Sequence, residues 1–335
     1  MSIIDQLKDK ARKDPKKIVL PEGEEERILK AAEISTREGI ANPILLGNED
    51  AILKRASDLN IDLKNVKILN PEISPDLERY AALYCEVRKG KNVNERIAKR
   101  ILRKSLYFGA MMVRVGDADG MVAGAVNLTA SVIRAGSLII GLQGGISTPS
   151  SFFVMNVPSF EGGENGVCLF ADAAVNPDPN PSQLADIAIS SARSAKLLLG
   201  WEPRVAMLSF STKGSAYHPL TKKVIEATEI ARKKAPDLLI DGEFQADAAL
   251  IPTVAKRKVK GESPVAGRAN VLIFPDLNAA NIAYKLVQYM GKAEAYGPIL
   301  QGFSRPISDL SRGASAEDIV GAIAIVCVEA QGSTA

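Results

Sequence analysis

Histidine is almost missing from this chain: His218 is the only one in 335 residues. A histidine-based metal centre or a Ser–His–Asp triad needs partners that a lone histidine lacks, so His218 is expected to be structural. Cysteine is nearly as scarce. Cys85, Cys168 and Cys327 lie far apart, two of them within apolar runs. That excludes a disulfide framework or a clustered zinc site and points to buried thiols in a reducing compartment, with the cytoplasm as the expected setting. Excess charge is missing too: a formal net charge of +3 does not produce the field of a general nucleic-acid binder, so any basic site must be local. The longest apolar run, Ile319 to Val328, is about ten residues, well short of the roughly twenty that cross a bilayer. The N-terminal "MSIIDQLKDKARKDPKK" interleaves charges with apolar residues and reads as a short amphipathic helix, not as a signal peptide. No repeat of fixed period and no low-complexity tract is found.

What is present is the make-up of a folded globular protein, 46% apolar and 24% charged, at a length that suits two lobes better than one core. Short apolar runs alternate with helix-period segments almost from end to end, the pattern of parallel strands joined by crossover helices. "KIVLPEG" reads as a strand and turn, followed by a helix through "EEERILKAAEISTREG" that Gly39 ends. "NPILLG" and "NVKIL" are the next strands; "AMMVRVG" and "GMVAGAV" read as two more around a Gly/Asp turn. Later, "GVCLFADAAV", "RVAMLSFS", "DLLIDGE" and "NVLIFPD" are strands, and the helix after "NPDPNPSQ" carries one stripe of Leu184, Ile187, Ala188, Ala192, Ala195, Leu198 and Leu199. The expected fold class is therefore α/β. The Gly/Ser/Thr/Pro-rich "GLQGGISTPSS" and the region of "AYGPILQGF" are taken as crossings between lobes. The expected division is a discontinuous first lobe, 1–145 with 297–335, around a second, 146–296.

Ligands of open parallel sheets bind beyond the carboxyl ends of the strands. "VAGAVNLTASVIRAG" runs from a strand through Asn127, Thr129 and Ser131 to Arg134, offering backbone N–H groups, hydroxyls and a guanidinium to an anion; an ordinary helix cap has the same look. "LSFSTKGSAYHP" lacks the spacing of a nucleoside-triphosphate loop. The eight Lys and Arg from Arg88 to Lys104 read mainly as a solvated face, with one or two available to an anion. In "SDLSRGASAEDIVGAIAIVC", Ser315 and Asp318 fit a capping box. That leaves Ser311 and Arg312, beside Gly313, without a purely structural account, and local pattern does not decide their role.

"VNLTASVIRAG", "FADAAVNPDPNPSQLADIAISSA", "DGEFQADAAL" and "YGPILQGFSRPISDLSRGASAEDIVGAIAI" together resemble the phosphate acetyl/butyryltransferase family, and within it the phosphate acetyltransferases, over nearly the whole chain. The resemblance implies two α/β/α lobes with mostly parallel sheets around a cleft, similar to isocitrate and isopropylmalate dehydrogenases, in a homodimer. It implies reversible transfer of an acetyl group between CoA and inorganic phosphate, acetyl-CoA and acetyl phosphate being the other substrates, with no cofactor and no metal. Carried over, the catalytic residues fall on Ser311, Arg312 and Asp318. Arg88 and Arg134 match arginines used for CoA, and Asn127, Thr129 and Ser131 accompany them as substrate-binding residues. Neither nucleic acid nor membrane is implied as a partner.

A guanidinium suits this chemistry because it binds phosphate oxygens bidentately and stays charged at working pH. A free thiol, with a pKa near 8.5, is mostly protonated at neutral pH, so forming acetyl-CoA needs a base or an orienting group. Asp318 is the candidate, although a helix N-terminus favours the charged carboxylate and makes it a poor match for a thiol. Either burial raises its pKa, or it orients the thiol while the proton leaves in concert with attack. The rivals are a phosphate butyryltransferase, a metal-dependent dehydrogenase of the isocitrate type with Asp172, Asp178 and Asp241 as imagined ligands, and a non-catalytic CoA or nucleic-acid binding module. No G-x-G-x-x-G opens a helix here, against the dehydrogenase.

Overall fold

The structure is a computed structural model and describes residues 2–332. Those residues form eleven strands: β1 Lys17–Leu20, β2 Asn42–Leu46, β3 Lys67–Leu69, β4 Gly120–Ala123, β5 Ser150–Asn156, β6 Val167–Ala171, β7 Arg204–Leu208, β8 Leu239–Phe244, β9 Val271–Ile273, β10 Glu294–Gln301 and β11 Ile307–Asp309. The chain divides into two compact units, one running to Leu142 and resuming at Phe303, the other Gln143–Gly302.

The first unit holds a five-stranded sheet of order β11-β4-β1-β2-β3 in which every pair is parallel. β4 is buried along its whole length and β1 at all but its first residue, as strands covered on both faces must be. The C-terminal helix Ala316–Gly332 packs on β4 and on the helices Ile3–Ala11 and Glu26–Arg37, so the last segment returns to the first unit. The N-terminal helix is fixed by a capping box between Ser2 and Asp5, and the helix Glu26–Arg37 stops just before Gly39, whose φ of +66° suits glycine.

"AMMVRVG" is not a strand. It is the last part of the helix Ser105–Val115, ended by Gly116 in the left-handed region at φ +85°. Phe108 to Val113 are all buried, and a helix segment buried on every side shows no polar interruption to distinguish it from a buried strand. The basic stretch from Asp76 to Lys104, helical in pattern, is helical in the structure too, as two helices, Leu77–Val87 and Glu95–Leu102, separated by positive-φ Gly90 and Asn92.

The second unit holds a six-stranded sheet of order β10-β5-β6-β9-β7-β8. β6, β9, β7 and β8 are parallel neighbours, while β10–β5 and β5–β6 are antiparallel. "AYGPILQ" is most of β10, so the sheet carries the second crossing to Gly302/Phe303 rather than to residue 296, and the first falls at Leu142/Gln143 rather than after residue 145. The helix Pro181–Ser194 starts with a reciprocal Asn180–Gln183 capping box and buries Leu184, Ile187, Ala188 and Ala192; Ala195 and Leu198 follow in a π-helical turn, and Leu199 is half-exposed. Among the described residues no helix is long and apolar enough to cross a membrane.

Candidate active site

Because β11, β4 and β1 are adjacent and parallel, the segments leaving their carboxyl ends meet. β1 leads to Glu22, β4 to the turn Gly124–Asn127, and β11 through Asp309 to Ser311 and Arg312. Glu22 is 8% exposed and its carboxylate accepts from four consecutive amides: Gly124 at 3.0 Å, Ala125 at 2.8 Å, Val126 at 3.0 Å and Asn127 at 2.7 Å. The Asn127 side-chain amide donates to it as well, at 2.7 Å. Four amides converging on one carboxylate form an anion-binding nest, and here the anion is the protein's own. The backbone donors that the sequence offered to a ligand at this turn are therefore already engaged, as is the Asn127 amide.

Arg27 ties the same turn to the last polar loop. Its Nη1 donates to the carbonyls of Arg312 and Ala314, at 2.7 and 2.9 Å, and its Nη2 to that of Ala125 at 3.3 Å. Its Nε pairs with Glu25 at 2.5 Å. The loop is thus held through its main chain, and the Ser311 and Arg312 side chains stand exposed. Ser311 Oγ accepts only a 3.3 Å contact from Gly313 N–H, and the Arg312 guanidinium has no acidic partner among the described residues. Around Gly313 there is open space, with Ser311 Oγ 3.9 Å from where a Cβ would lie.

Asp318 is exposed and belongs to the cap that its spacing suggested. Its Oδ2 accepts from Ser315 N–H and Oγ–H, both at 2.8 Å, and its own N–H donates to Ser315 Oγ at 3.2 Å. Within this unit it is not buried, so the burial that one account of its role as a base required is absent here.

Arg88 and Arg134, 46 positions apart in sequence, act on the same phenol. Tyr84 is buried, which raises its pKa, and both guanidiniums oppose that rise without cancelling it. Arg88 caps the helix Leu77–Val87 and is half-buried, with a buried Nε that has no hydrogen-bond partner. Arg134, on the helix Thr129–Ala135, is exposed. An unpaired guanidinium N–H in a partly desolvated position is a strong recruiter of phosphate oxygens. Ser131, half-buried on the same helix, has no side-chain partner among the described residues, whereas the Thr129 hydroxyl donates to Asp309.

Sequence reasoning missed Glu22, Arg27 and Asp309. Glu22 and Arg27 flank the turn after β1, and turns after strands are where ligands were sought, but "PEGEEER" looks like an ordinary acidic helix start. Asp309 ends a three-residue strand that local pattern does not reveal.

Other residues singled out earlier have structural occupations. His218 Nδ1 accepts from Leu220 N–H at 3.2 Å, capping the helix Pro219–Lys234. The loop after β7 wraps buried Glu243, which accepts from Ser211 Oγ and Gly214 N–H, both at 2.8 Å. Asp172, Asp178 and Asp241 go to separate partners: the turn Ala174–Asn176, Lys223, and Lys213 with Arg232 and Ser263. Among the described residues no group of three His, Cys, Asp or Glu side chains is placed to hold a metal ion.

A family model described as phosphate acetyl/butaryl transferase matches residues 2–327. The phosphate acetyltransferase of Thermoanaerobacterium thermosaccharolyticum is 55% identical over 99% of this chain and 100% of its own. That of Acetivibrio thermocellus is 52% identical, over 99% of each. A phosphotransacetylase structure from Streptococcus pyogenes matches with a TM-score of 0.93 at 42% identity, covering 99% of this chain and 100% of that one. The EutD phosphotransacetylase of Staphylococcus aureus matches at 0.90 and 42%, covering 98% of each. Fold and likeness together define an acyltransferase of two α/β units, which removes the dehydrogenase and the non-catalytic module from consideration. The chain belongs to the phosphate acetyl/butaryl transferase family.

Proposed function

We propose that this chain is a phosphate acetyltransferase, moving an acetyl group reversibly between CoA sulfur and a phosphate oxygen, with Ser311, Arg312 and Asp318 as the reacting set. In one direction a phosphate oxygen attacks the thioester carbonyl carbon, the C–S bond breaks, and the CoA thiolate takes up the proton that phosphate gives up. In the other the thiol loses that proton as sulfur attacks the acetyl carbonyl carbon of acetyl phosphate, the C–O bond to the phosphate oxygen breaks, and inorganic phosphate leaves with the proton. The observation that carries the reading is the last polar loop, with a backbone fixed by Arg27 and the Ser311 and Arg312 side chains left free at the carboxyl ends of parallel strands.

A preorganised, unpaired Arg312 suits the stabilisation of charge developing on the carbonyl oxygen. Arg134 and the buried, unpartnered Nε of Arg88 suit the phosphates of CoA. An exposed Asp318 held by its cap favours the orienting role over that of a buried base. Direct transfer between two held substrates needs no acyl-enzyme, since correct placement alone supplies effective molarities of up to about 10⁵–10⁸ M.

The reading includes a homodimer and a cytoplasmic setting in acetate metabolism. The helix Leu277–Met290 supports the first: Ile282, Leu286, Tyr289 and Met290 are each more than half exposed along one side, an apolar stripe that a second copy would cover. The three free cysteines fit a reducing compartment. Thiol release from acetyl-CoA, measured with and without phosphate and in the presence of chelator, tests the activity. Release that depends on phosphate and survives the chelator is expected; no phosphate dependence would refute it. Butyryl-CoA run alongside reads the acyl preference.

A further inference from the structure

Asp309 is the last residue of β11, two positions before Ser311, and is 3% exposed. Three neighbours converge on it. The Thr129 hydroxyl donates to its Oδ2, and Thr129 opens the helix that carries Ser131 and Arg134. Gly124 lies against its Oδ1: at φ +114° a Cβ there would fall on that oxygen and sit 2.6 Å from Leu310 N. Glu22, which gathers the amides of the same turn, is the charged group facing it. Oδ1 itself is buried without a hydrogen-bond partner of regular geometry. A desolvated carboxyl with one lone oxygen is costly to keep, and nothing in the sheet requires it here, since β11 pairs with β4 through its main chain.

We propose that Asp309 is a positioning residue for the acyl transfer: by accepting the Thr129 hydroxyl while packed on Gly124, it sets the helix bearing Ser131 and Arg134 relative to the Ser311–Arg312 loop. This rests on the acyltransferase reading. Arg27 holds the loop to the Ala125 end of the turn, and Asp309 holds the Thr129 end. Removing the Asp309 contact leaves the loop attached and releases only the start of the arginine-bearing helix. Misplacement of about an ångström at a reacting centre costs on the order of 10²-fold in rate.

The test uses Thr129→Val and Asp309→Ala, alone and together, with Asp309→Asn as the conservative replacement that keeps an acceptor for Thr129. In the thiol-release assay each of the first two is expected to lower kcat by about 10–10², the pair to be no worse than the more damaged single variant by more than about threefold, and Asp309→Asn to recover most of the loss. A merely structural contact would lower melting temperature and leave kcat of the folded enzyme unchanged. Should Asp309→Ala not fold, Thr129→Val, which removes one hydroxyl from a half-buried side chain, and Asp309→Asn still decide the matter. Unchanged kcat in Thr129→Val, losses that multiply in the double variant, or an Asp309→Asn enzyme as impaired as Thr129→Val would each overturn the proposal. An inactive wild type would instead sink the acyltransferase reading.

Discussion

Each unit of this chain surrounds a buried glutamate with a polar turn beyond the carboxyl ends of its parallel strands, and the two turns are put to different ends. In the second unit Glu243 gathers the loop after β7, and the loop's cation, Lys213, goes to Asp241 at 2.5 Å, joined there by Arg232 at 2.5 Å. Asp241 is 2% exposed, and its pKa stays low because Lys213 and Ser263 bond to it and outweigh its burial. In the first unit Glu22 gathers the turn after β4, while Arg312 and Arg134 are left with no acidic partner among the described residues. The two surroundings are thus told apart by where the nearby cations end up. In one the cations pair with a buried aspartate; in the other, among the described residues, two guanidiniums stay unpaired.

The sharpest way to break this comparison is to remove one cation from each loop. Arg312→Ala is expected to lower kcat by about 10²–10³ with the fold intact, the usual cost of losing a donor aimed at developing charge. Lys213→Ala is expected to leave turnover within about threefold while lowering stability by roughly 1–3 kcal/mol, because buried Asp241 keeps Arg232 but loses one of its two ion-pair partners. Thiol release and urea denaturation on both variants give the answer, and a slow, stable Lys213→Ala enzyme would reverse the assignment.

A second comparison sets Asp309 against Asp241 over pH. Burial pushes Asp309 up to about 6, with Glu22 adding to the shift and the Thr129 hydroxyl and Leu310 amide opposing it. A carboxyl whose folded pKa lies above its unfolded value of 3.8 contributes stability that is complete below about 4 and lost as pH rises through 6. From that group the loss is on the order of 2–3 kcal/mol between pH 4 and 7. Asp241 is shifted the other way, so its contribution is present above its unfolded value and lost in acid. Urea midpoints from pH 4 to 8 should therefore show Asp309→Asn gaining on wild type as pH rises. A difference that does not change with pH would contradict this account.

A last pair of variants, one of them with the smallest expected effect of all, separates cap from chemistry on the C-terminal helix. Ser315→Ala removes one partner of the box and should cost about 1 kcal/mol with activity preserved. Asp318→Asn should cut kcat heavily and leave CoA affinity nearly intact. Near-normal turnover in Asp318→Asn would reduce that aspartate to a cap.

The elements that alternate cleanly were legible in the sequence: β1, β2, β6, β7 and β9 fall where apolar runs bounded by turn residues place them. In the helix Ser105–Val115 the run Phe108 to Val113 is buried on every side and so loses its period. β5 is antiparallel and begins inside the Gly/Ser/Thr-rich segment that marks a crossing, and "AYGPILQGF", expected as the other crossing, is mostly the antiparallel strand β10. Within the site, Ser311, Arg312 and Asp318 could be picked out because they share one loop. Glu22, Arg27 and Asp309 could not, because strand order rather than sequence spacing brings them together: Arg27 reaches a carbonyl 285 positions away and Thr129 a carboxylate 180 away. A short-range pattern carries no trace of such pairs.

The carboxylate of Glu22 has one more effect. Because its nest is filled from within, the turn beside the Ser311–Arg312 loop is already gathered, and an incoming anion need not first draw the main chain around itself. Free phosphate gains nothing by lodging there. Recognition of an anion at this end of the sheet is left to side chains, of which Arg312 and Arg134 are exposed and without an acidic partner among the described residues.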